Sequence, residues 1–163
     1  MREIQLSQGQ VAIVDDEDFE SLNAFNWCAD WSAGTESFYA VRSVSIGGGK
    51  QTTIRMHRLI TGAPKGMHVD HINKATLDNR RANLRVCTNS ENLRNRGKQA
   101  DNTSGFKGVV WHKASGKWHA RIGLNGKLKH IGYFDNILDA AAAYDKAAAE
   151  LHGDYARHNG VAA

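Results

Sequence analysis

Asp70, His71, Asn83 and Asn92 stand at offsets of 0, +1, +13 and +22 from Asp70. An acid, an imidazole and two amides in that order can hold one hard divalent cation and activate one water. Hydrolysis of a phosphodiester asks for both. Negative charge grows on the phosphate, a water must lose a proton, and the leaving 3′ oxygen must be stabilised. A divalent cation answers the charge, and a neutral imidazole takes the proton near neutral pH. Asp70 is a hard oxygen ligand, and an Asn carbonyl from a following helix can be a second. Two protein oxygens plus waters and a substrate phosphate suit Mg²⁺ or Mn²⁺, one ion per site, better than a closed zinc cage. His71 is the natural general base, and Asn83 either tethers the intervening loop or orients His71. His68, two residues before Asp70, shares its strand face and is an additional candidate.

The elements around these residues have to bring them together. Met67 to His71 reads as extended, 73–81 as a polar loop, and Asn83 to Cys87 as a second short strand. Thr88 and Glu91 form a capping box ahead of a helix from Asn89 to about Arg96. The local order is strand, loop, strand, helix. Neighbours in a regular strand point to opposite faces, so Asp70 and His71 can serve one phosphate only where the strand ends or twists. Asn92, on the first turns of the capped helix, can face back toward the strand pair.

Upstream, Glu3 to Leu6 and Gln10 to Val14 are short strand candidates. Asp15 to Asp18 offers caps for a helix from Phe19 to Ala24. Phe38 to Val44 reads as a strand that turns at Gly47-Gly48-Gly49 and returns through Gln51 to Arg55. Met56 to Ile60 reads as a short helix that stops before Gly62 and Pro64. Downstream, 97–103 is a polar linker without periodicity. Three strands follow, Lys107 to His112, Trp118 to Leu124 and Lys127 to Phe134, joined at Ser115-Gly116 and Asn125-Gly126. Asn-Gly between extended segments is a strong hairpin signal. Asn136 then caps an alanine-rich helix, Ile137 to about His152, with Gly153 as its stop. Ala141, Tyr144, Ala148 and Leu151 share one stripe of that helix, suited to packing on the sheet.

The net charge of +4 conceals a polarity. Residues 1–49 carry two Lys/Arg against eight Asp/Glu, residues 50–130 seventeen against four, and residues 131–163 two against five. The middle stretch is the partner for a polyanion, double-stranded DNA before a membrane surface, because its cations are not gathered on one amphipathic helix. Arg58, Arg80, Arg81, Arg85 and Arg94 are candidate DNA contacts there. The chain lacks an apolar run long enough to span a bilayer. Cys28 and Cys87 lie far apart, which excludes a disulfide framework and a Cys-based zinc site and fits a reducing cytoplasm.

Residues 56–96 resemble the HNH nuclease family with its ββα-metal motif, particularly phage and intron-encoded homing endonucleases. The resemblance rests on Met56-His57-Arg58-Leu59-Ile60, Val69-Asp70-His71-Ile72-Asn73, 77–85 (Leu-Asp-Asn-Arg-Arg-Ala-Asn-Leu-Arg) and Thr88 through Asn92. It implies that Asp70 and Asn92 ligate the metal, that His71 is the general base, and that Asn83 is the middle Asn that orients it. His57 matches a recurrent family position. Colicin-like members use His ligands where this chain has Asp and Asn, which speaks against zinc chemistry.

Residues 104–159 resemble the DNA-binding domain of plant Apetala2/ethylene-response factors. The matching strings are Ser104-Gly105-Phe106-Lys107-Gly108-Val109, Gly116-Lys117-Trp118-His119-Ala120, Ile131-Gly132-Tyr133-Phe134, 140–148 and Gly153-Asp154-Tyr155-Ala156. Such domains also occur appended to HNH homing endonucleases. The DNA-facing positions depart from the plant pattern: Lys107, Val110 and His112 stand where Arg is usual, Arg121 where Glu is, Gly123 where Arg is, and His130 where Trp is. A domain of this kind is implied, but not the plant target sequence. Lys107, His112, Arg121, Lys127, Lys129 and His130 are the candidate contacts, mostly to phosphate. Trp118 and Tyr144 belong to the core.

The expected fold class is α+β: a strand-rich N-terminal region leading into a ββα-metal HNH module, then a three-stranded antiparallel sheet packed on one α-helix. The expected domains are 1–96, a nuclease domain on a strand-rich scaffold, a linker at 97–103, and 104–163 for DNA binding. The resemblances imply a phage- or bacterium-encoded endonuclease acting on DNA in the cytoplasm. The alternative is a non-catalytic, sequence-specific regulator whose nuclease module is vestigial. The sequence does not specify an oligomeric state.

Overall fold

The computed structural model describes residues 1–99 and 101–161. The chain mixes helices and strands and forms two compact units, Met1–Thr88 and Asn89–Ala163.

The first unit begins with a hairpin, β1 (Arg2–Gln5) and β2 (Val11–Val14), paired Ile4 to Ala12 and Arg2 to Val14. Alternation sends Ile4, Ala12 and Val14 into the core. Helix α1 (Asp16–Asn23) starts ahead of the expected Phe19. Its first turn is Asp16, Glu17 and Asp18, and acids are favoured against the unpaired N–H groups of a helix start. A meander follows in the order β3-β4-β5, with β3 at Cys28–Ser32, β4 at Ser37–Gly47 and β5 at Lys50–Arg55. Strand β3 was not expected. Its buried residue is the small Ala29, while the large Trp31, two residues further along, is exposed with its edge against Phe38, 5.0 Å between ring centroids.

Helix α2 (Met56–Thr61) ends at Gly62 in the left-handed region, φ 60°, a conformation glycine takes without steric cost. The chain then forms a hairpin from β6 (His68–His71) and β7 (Leu84–Cys87), paired Asp70 to Arg85 and His71 to Leu84. One apolar core joins the N-terminal strands to this hairpin. Ile4, Val14, Leu22, Trp27, Met56, Ile60 and Leu84 belong to it, with Val69 and Leu77 packed against it.

The second unit contains helix α3 (Asn89–Asn95) and an antiparallel sheet in the order β10-β9-β8. Its strands are β8 (Val109–His112), β9 (Lys117–Leu124) and β10 (Lys127–Phe134). Asn125 and Gly126 both have positive φ, 52° and 75°, the primed turn whose twist matches the flanking strands. Helix α4 (Ile137–His152) is capped as expected, with the Leu138 N–H donating to Asn136 Oδ1 at 2.8 Å. Ala140, Ala141, Tyr144 and Ala148 are buried, with Val109, Ala120 and Ile122 of the sheet in the same clusters. Among the described residues no helix is long and apolar enough to cross a membrane.

Strand β8 starts at Val109 rather than Lys107 because Gly108 breaks the extended run with φ +75°. A Cβ there would stand 2.1 Å from Tyr144 Cδ2 and 2.6 Å from the Arg121 carbonyl oxygen. Backbone strain and overpacking act together at this site. Gly108→Ala is expected to destabilise the second unit by about 3 kcal/mol, read as a lowered midpoint in urea unfolding.

Candidate active site and nucleic-acid interface

Asp70 is 4% exposed. Its Oδ2 accepts from Arg85 Nε at 3.0 Å and Nη2 at 2.7 Å, and its Oδ1 accepts from Lys74 Nζ at 3.0 Å. A buried carboxylate stays ionised only where opposite charge and hydrogen bonds meet it. Lys74 reaches it from a left-handed backbone position, φ 69°, in a turn closed by the Lys74 N–H on the His71 carbonyl. Asp70 is thus a hard oxygen donor with both oxygens met by cationic side chains.

His71 ends β6 and lies on the opposite, inner side of the hairpin, paired with Leu84. Its ring centroid is 5.2 Å from that of His57 and 6.1 Å from that of Tyr39. Burial pushes its pKa down, and the Asn79 hydrogen bond and the Asp70 charge only partly oppose this. The ring is therefore held toward the neutral form that a general base needs.

The loop 72–83 is fastened from several sides. Asn83 Oδ1 accepts the Asn73 N–H at 2.9 Å, and Asn83 Nδ2 donates to the Asp78 carbonyl at 2.8 Å. Of the two roles offered for Asn83, the structure displays the tether. The N-terminal region supplies further anchors. The Ile13 N–H donates to the Leu77 carbonyl at 2.8 Å, and the Asn79 N–H donates to the Ile13 carbonyl at 2.7 Å. Thr76 Oγ1 donates to the Phe38 carbonyl at 2.6 Å. Arg80 pairs with Asp78 and holds that carboxyl below its usual range.

Asp70, His71 and Asn83 thus share one hairpin and its loop. Asn92 is half-buried on α3, in the second unit. His68 is exposed at the start of β6, and His57 is buried on α2. Residue types and spacing did not single out Asn79, Lys74 or Tyr39. Asn79 lies in the polar loop, where an amide has no periodicity to mark it.

Most of the expected arginine contacts are committed inside the fold. Arg58 donates to the carbonyls of Met67, Ala63 and Pro64. Arg81 pairs with Asp18 and Glu17, and its N–H donates to Asp15. Arg80 and Arg85 hold Asp78 and Asp70. Arg94 is half-buried on α3. Lys107 Nζ donates to the Arg94 and Arg96 carbonyls, the latter at 2.6 Å, a cation satisfying free acceptors at a helix end.

The sheet of the second unit sorts its candidates by face, because directly paired residues project to the same side. Arg121 pairs with His130, and His112 pairs with Lys117. These lie on the side away from the buried Ala120 and Ile122, together with His119 and Tyr133. Lys127 and Lys129 pair with Leu124 and Ile122 and so belong to the other, helix-packed side. On the open side His119 Nε2 and His130 Nδ1 are 2.8 Å apart. Burial, together with the charges of His130, Arg121 and His112, pushes the His119 pKa down.

The family model described as HNH endonuclease matches residues 55–94. Protein 3.8 of Escherichia phage T7 is 35% identical over 94 residues, 58% of this chain and 77% of that protein. APETALA2-like protein 2 of Oryza sativa subsp. indica is 45% identical over 56 residues, 33% of this chain and 13% of that protein. An ethylene-responsive transcription factor of Arabidopsis thaliana is 42% identical over 52 residues, 31% of this chain and 12% of that protein. The chain therefore spans most of the phage protein and a small part of each plant protein.

His57, within the matched segment, has its pKa pushed down to about 3, by burial first and then by the charges of His71, Arg55 and Arg58. A histidine whose folded pKa is depressed adds stability above its unfolded pKa of about 6.5, and loses it as pH falls toward the folded value. Between about pH 7.5 and about pH 5 the share of His57 is about 2 kcal/mol. Urea unfolding by tryptophan fluorescence is expected to show acid destabilisation across that range. His57→Phe is expected to flatten it, and an unchanged slope would contradict the assignment.

Proposed function

The chain belongs to the family of phage T7 Protein 3.8 and carries an HNH endonuclease domain, and from that premise we propose that it is a metal-dependent DNA endonuclease of the homing type. The observation that carries the reading is a buried carboxylate, Asp70, held ready for cations, one residue from His71, an imidazole held neutral by burial. In this reading β6, β7 and α3 make up the ββα-metal motif. The functional division runs 1–96 for cutting, 97–103 as linker and 104–163 for DNA binding. The similarity to plant transcription factors supports a DNA-selecting role for the last of these.

Asp70 and Asn92 are the proposed ligands of one Mg²⁺ or Mn²⁺ ion. Bound there, the ion would stabilise negative charge on the phosphate and on the leaving 3′ oxygen. His71 takes the proton of the attacking water on its free ring nitrogen. Asn83 keeps the 72–83 loop closed, so that β6 ends where both side chains can be used. The open side of the β8–β10 sheet, with Arg121, His112 and His130, faces double-stranded DNA, mostly through phosphate.

Purified protein incubated with plasmid DNA and Mg²⁺ is expected to nick or cut it, and chelation of the ion to stop it. His71→Ala is expected to lower the cleavage rate by about 10²-fold or more, and Asp70→Ala to remove it. No cleavage of any DNA, with binding retained, would replace this reading by that of a DNA-binding regulator. For the sheet, Arg121→Ala is expected to weaken DNA binding about tenfold and to reduce its salt dependence. Lys129→Ala, on the helix-packed side, is expected to change affinity much less in the same titration.

A further inference from the structure

We propose that Asn79, rather than Asn83, is the positioning residue for His71, and that it does so by fixing the ring in the tautomer protonated on Nε2. The consequence for cleavage rests on the nuclease reading above; the assignment of the tautomer does not.

The side chain of Asn79 is locked before it meets the histidine. The residue is 1% exposed. Its backbone N–H is tied to the Ile13 carbonyl at 2.7 Å. Its side-chain Nδ2 donates to the Leu77 carbonyl at 3.2 Å. A carbonyl oxygen only accepts, so this contact sets which end of the amide is which. The end toward His71 must then be Oδ1, which stands 3.4 Å from His71 Nε2. An amide oxygen also only accepts, so the proton between them belongs to Nε2. The unprotonated nitrogen of the neutral ring is then Nδ1, the atom left to accept a proton.

Asn83 is engaged elsewhere. Its Oδ1 accepts the Asn73 N–H and its Nδ2 donates to the Asp78 carbonyl, so both ends of its amide are used in closing the loop. The Asn79 contact is long in the resting protein. It becomes stronger once the ring has gained a proton and its N–H groups carry positive charge. A contact that strengthens as the reaction proceeds lowers the barrier rather than merely binding. Neutral His57 and Tyr39 pack against the other edges of the ring and limit its rotation.

The test uses the full chain labelled with ¹⁵N, without metal or DNA, at a pH where His71 is neutral. Two-bond nitrogen–proton correlation reads its tautomer directly. The expected result is Nε2–H in the wild type and a mixture of both tautomers in Asn79→Leu. In Mg²⁺ cleavage assays the same variant is expected to lose about tenfold in kcat with KM for DNA within about twofold, as a loss confined to the reacting state requires. A wild-type ring protonated on Nδ1 would overturn the proposal outright, even if the variant failed to fold. So would an Asn79→Leu protein with the wild-type tautomer and rate. A tautomer that depends on Asn79 in a protein that cuts no DNA would uphold the positioning role and remove only the nuclease reading.

Discussion

The site depends on one short piece of backbone pairing. The Ile13 peptide unit on β2 gives its N–H to Leu77 and takes the N–H of Asn79 through its carbonyl, bracketing Asp78 in a parallel bridge. A loop between β6 and β7 as long as 72–83 would otherwise spend its hydrogen-bonding groups on water and sample many shapes. Held at Ile13, it places three side chains at once. Asp78 turns toward Arg80 and Asn73, Asn79 meets His71, and Asn83 bonds back across the loop. The strand-rich N-terminal region is therefore part of the site's scaffold, and Ile4, Val14 and Leu84 share one core with it.

The same arrangement revises the meaning of the basic middle of the chain. Its excess of Lys and Arg reads as a polyanion surface when charges are counted along the sequence. In the fold, Arg81 is met by Asp18 and Glu17 from the acidic segment, and Arg80 and Arg85 are met by Asp78 and Asp70. Arg58 spends its guanidinium on three carbonyls. Acidic and basic segments far apart in sequence complement one another within the first unit, so net charge per segment overstates the positive surface left for DNA. The open side of the β8–β10 sheet is different: Arg121 and the histidines beside it stand on the side opposite the Ala120 and Ile122 side chains that pack on α4.

Elements with a local cause were legible in the sequence. The Asn125-Gly126 turn needs positive φ at both positions and has it, and Asn136 caps α4 through its own side chain. The β6 and β7 strands, and Asp70 and His71 on them, also follow from short-range pattern. What stayed hidden depends on partners distant in sequence. Strand β3 buries Ala29 but leaves Trp31, two residues on and on the same face, exposed near the strand's end, and only its pairing with β4 reveals it. The bond from Asn79 to Ile13 and the pairing of Arg81 with Asp18 join residues more than sixty positions apart. The sorting of Lys129 and Arg121 onto opposite sides needs the strand register, since alternation along β10 is interrupted between His130 and Gly132.

Strand alternation also resolves a conflict between the two neighbours to which the proposed chemistry is assigned. A carboxylate that attracts a cation must be charged, and a base must be neutral, yet Asp70 and His71 are adjacent. In one shared pocket they would interfere: an apolar environment suited to neutral His71 would penalise the carboxylate, and the carboxylate's charge would favour an imidazolium. The pleat of β6 separates them by face instead of by distance along the chain. Asp70 turns to Arg85 and Lys74, and His71 turns to Leu84, Tyr39 and His57. The strand then ends at His71, so the two environments adjoin where the loop begins. A regular strand continuing past His71 would keep these faces apart. The tight turn after His71, with Lys74 in its strained left-handed position, is the feature that lets one hairpin present both.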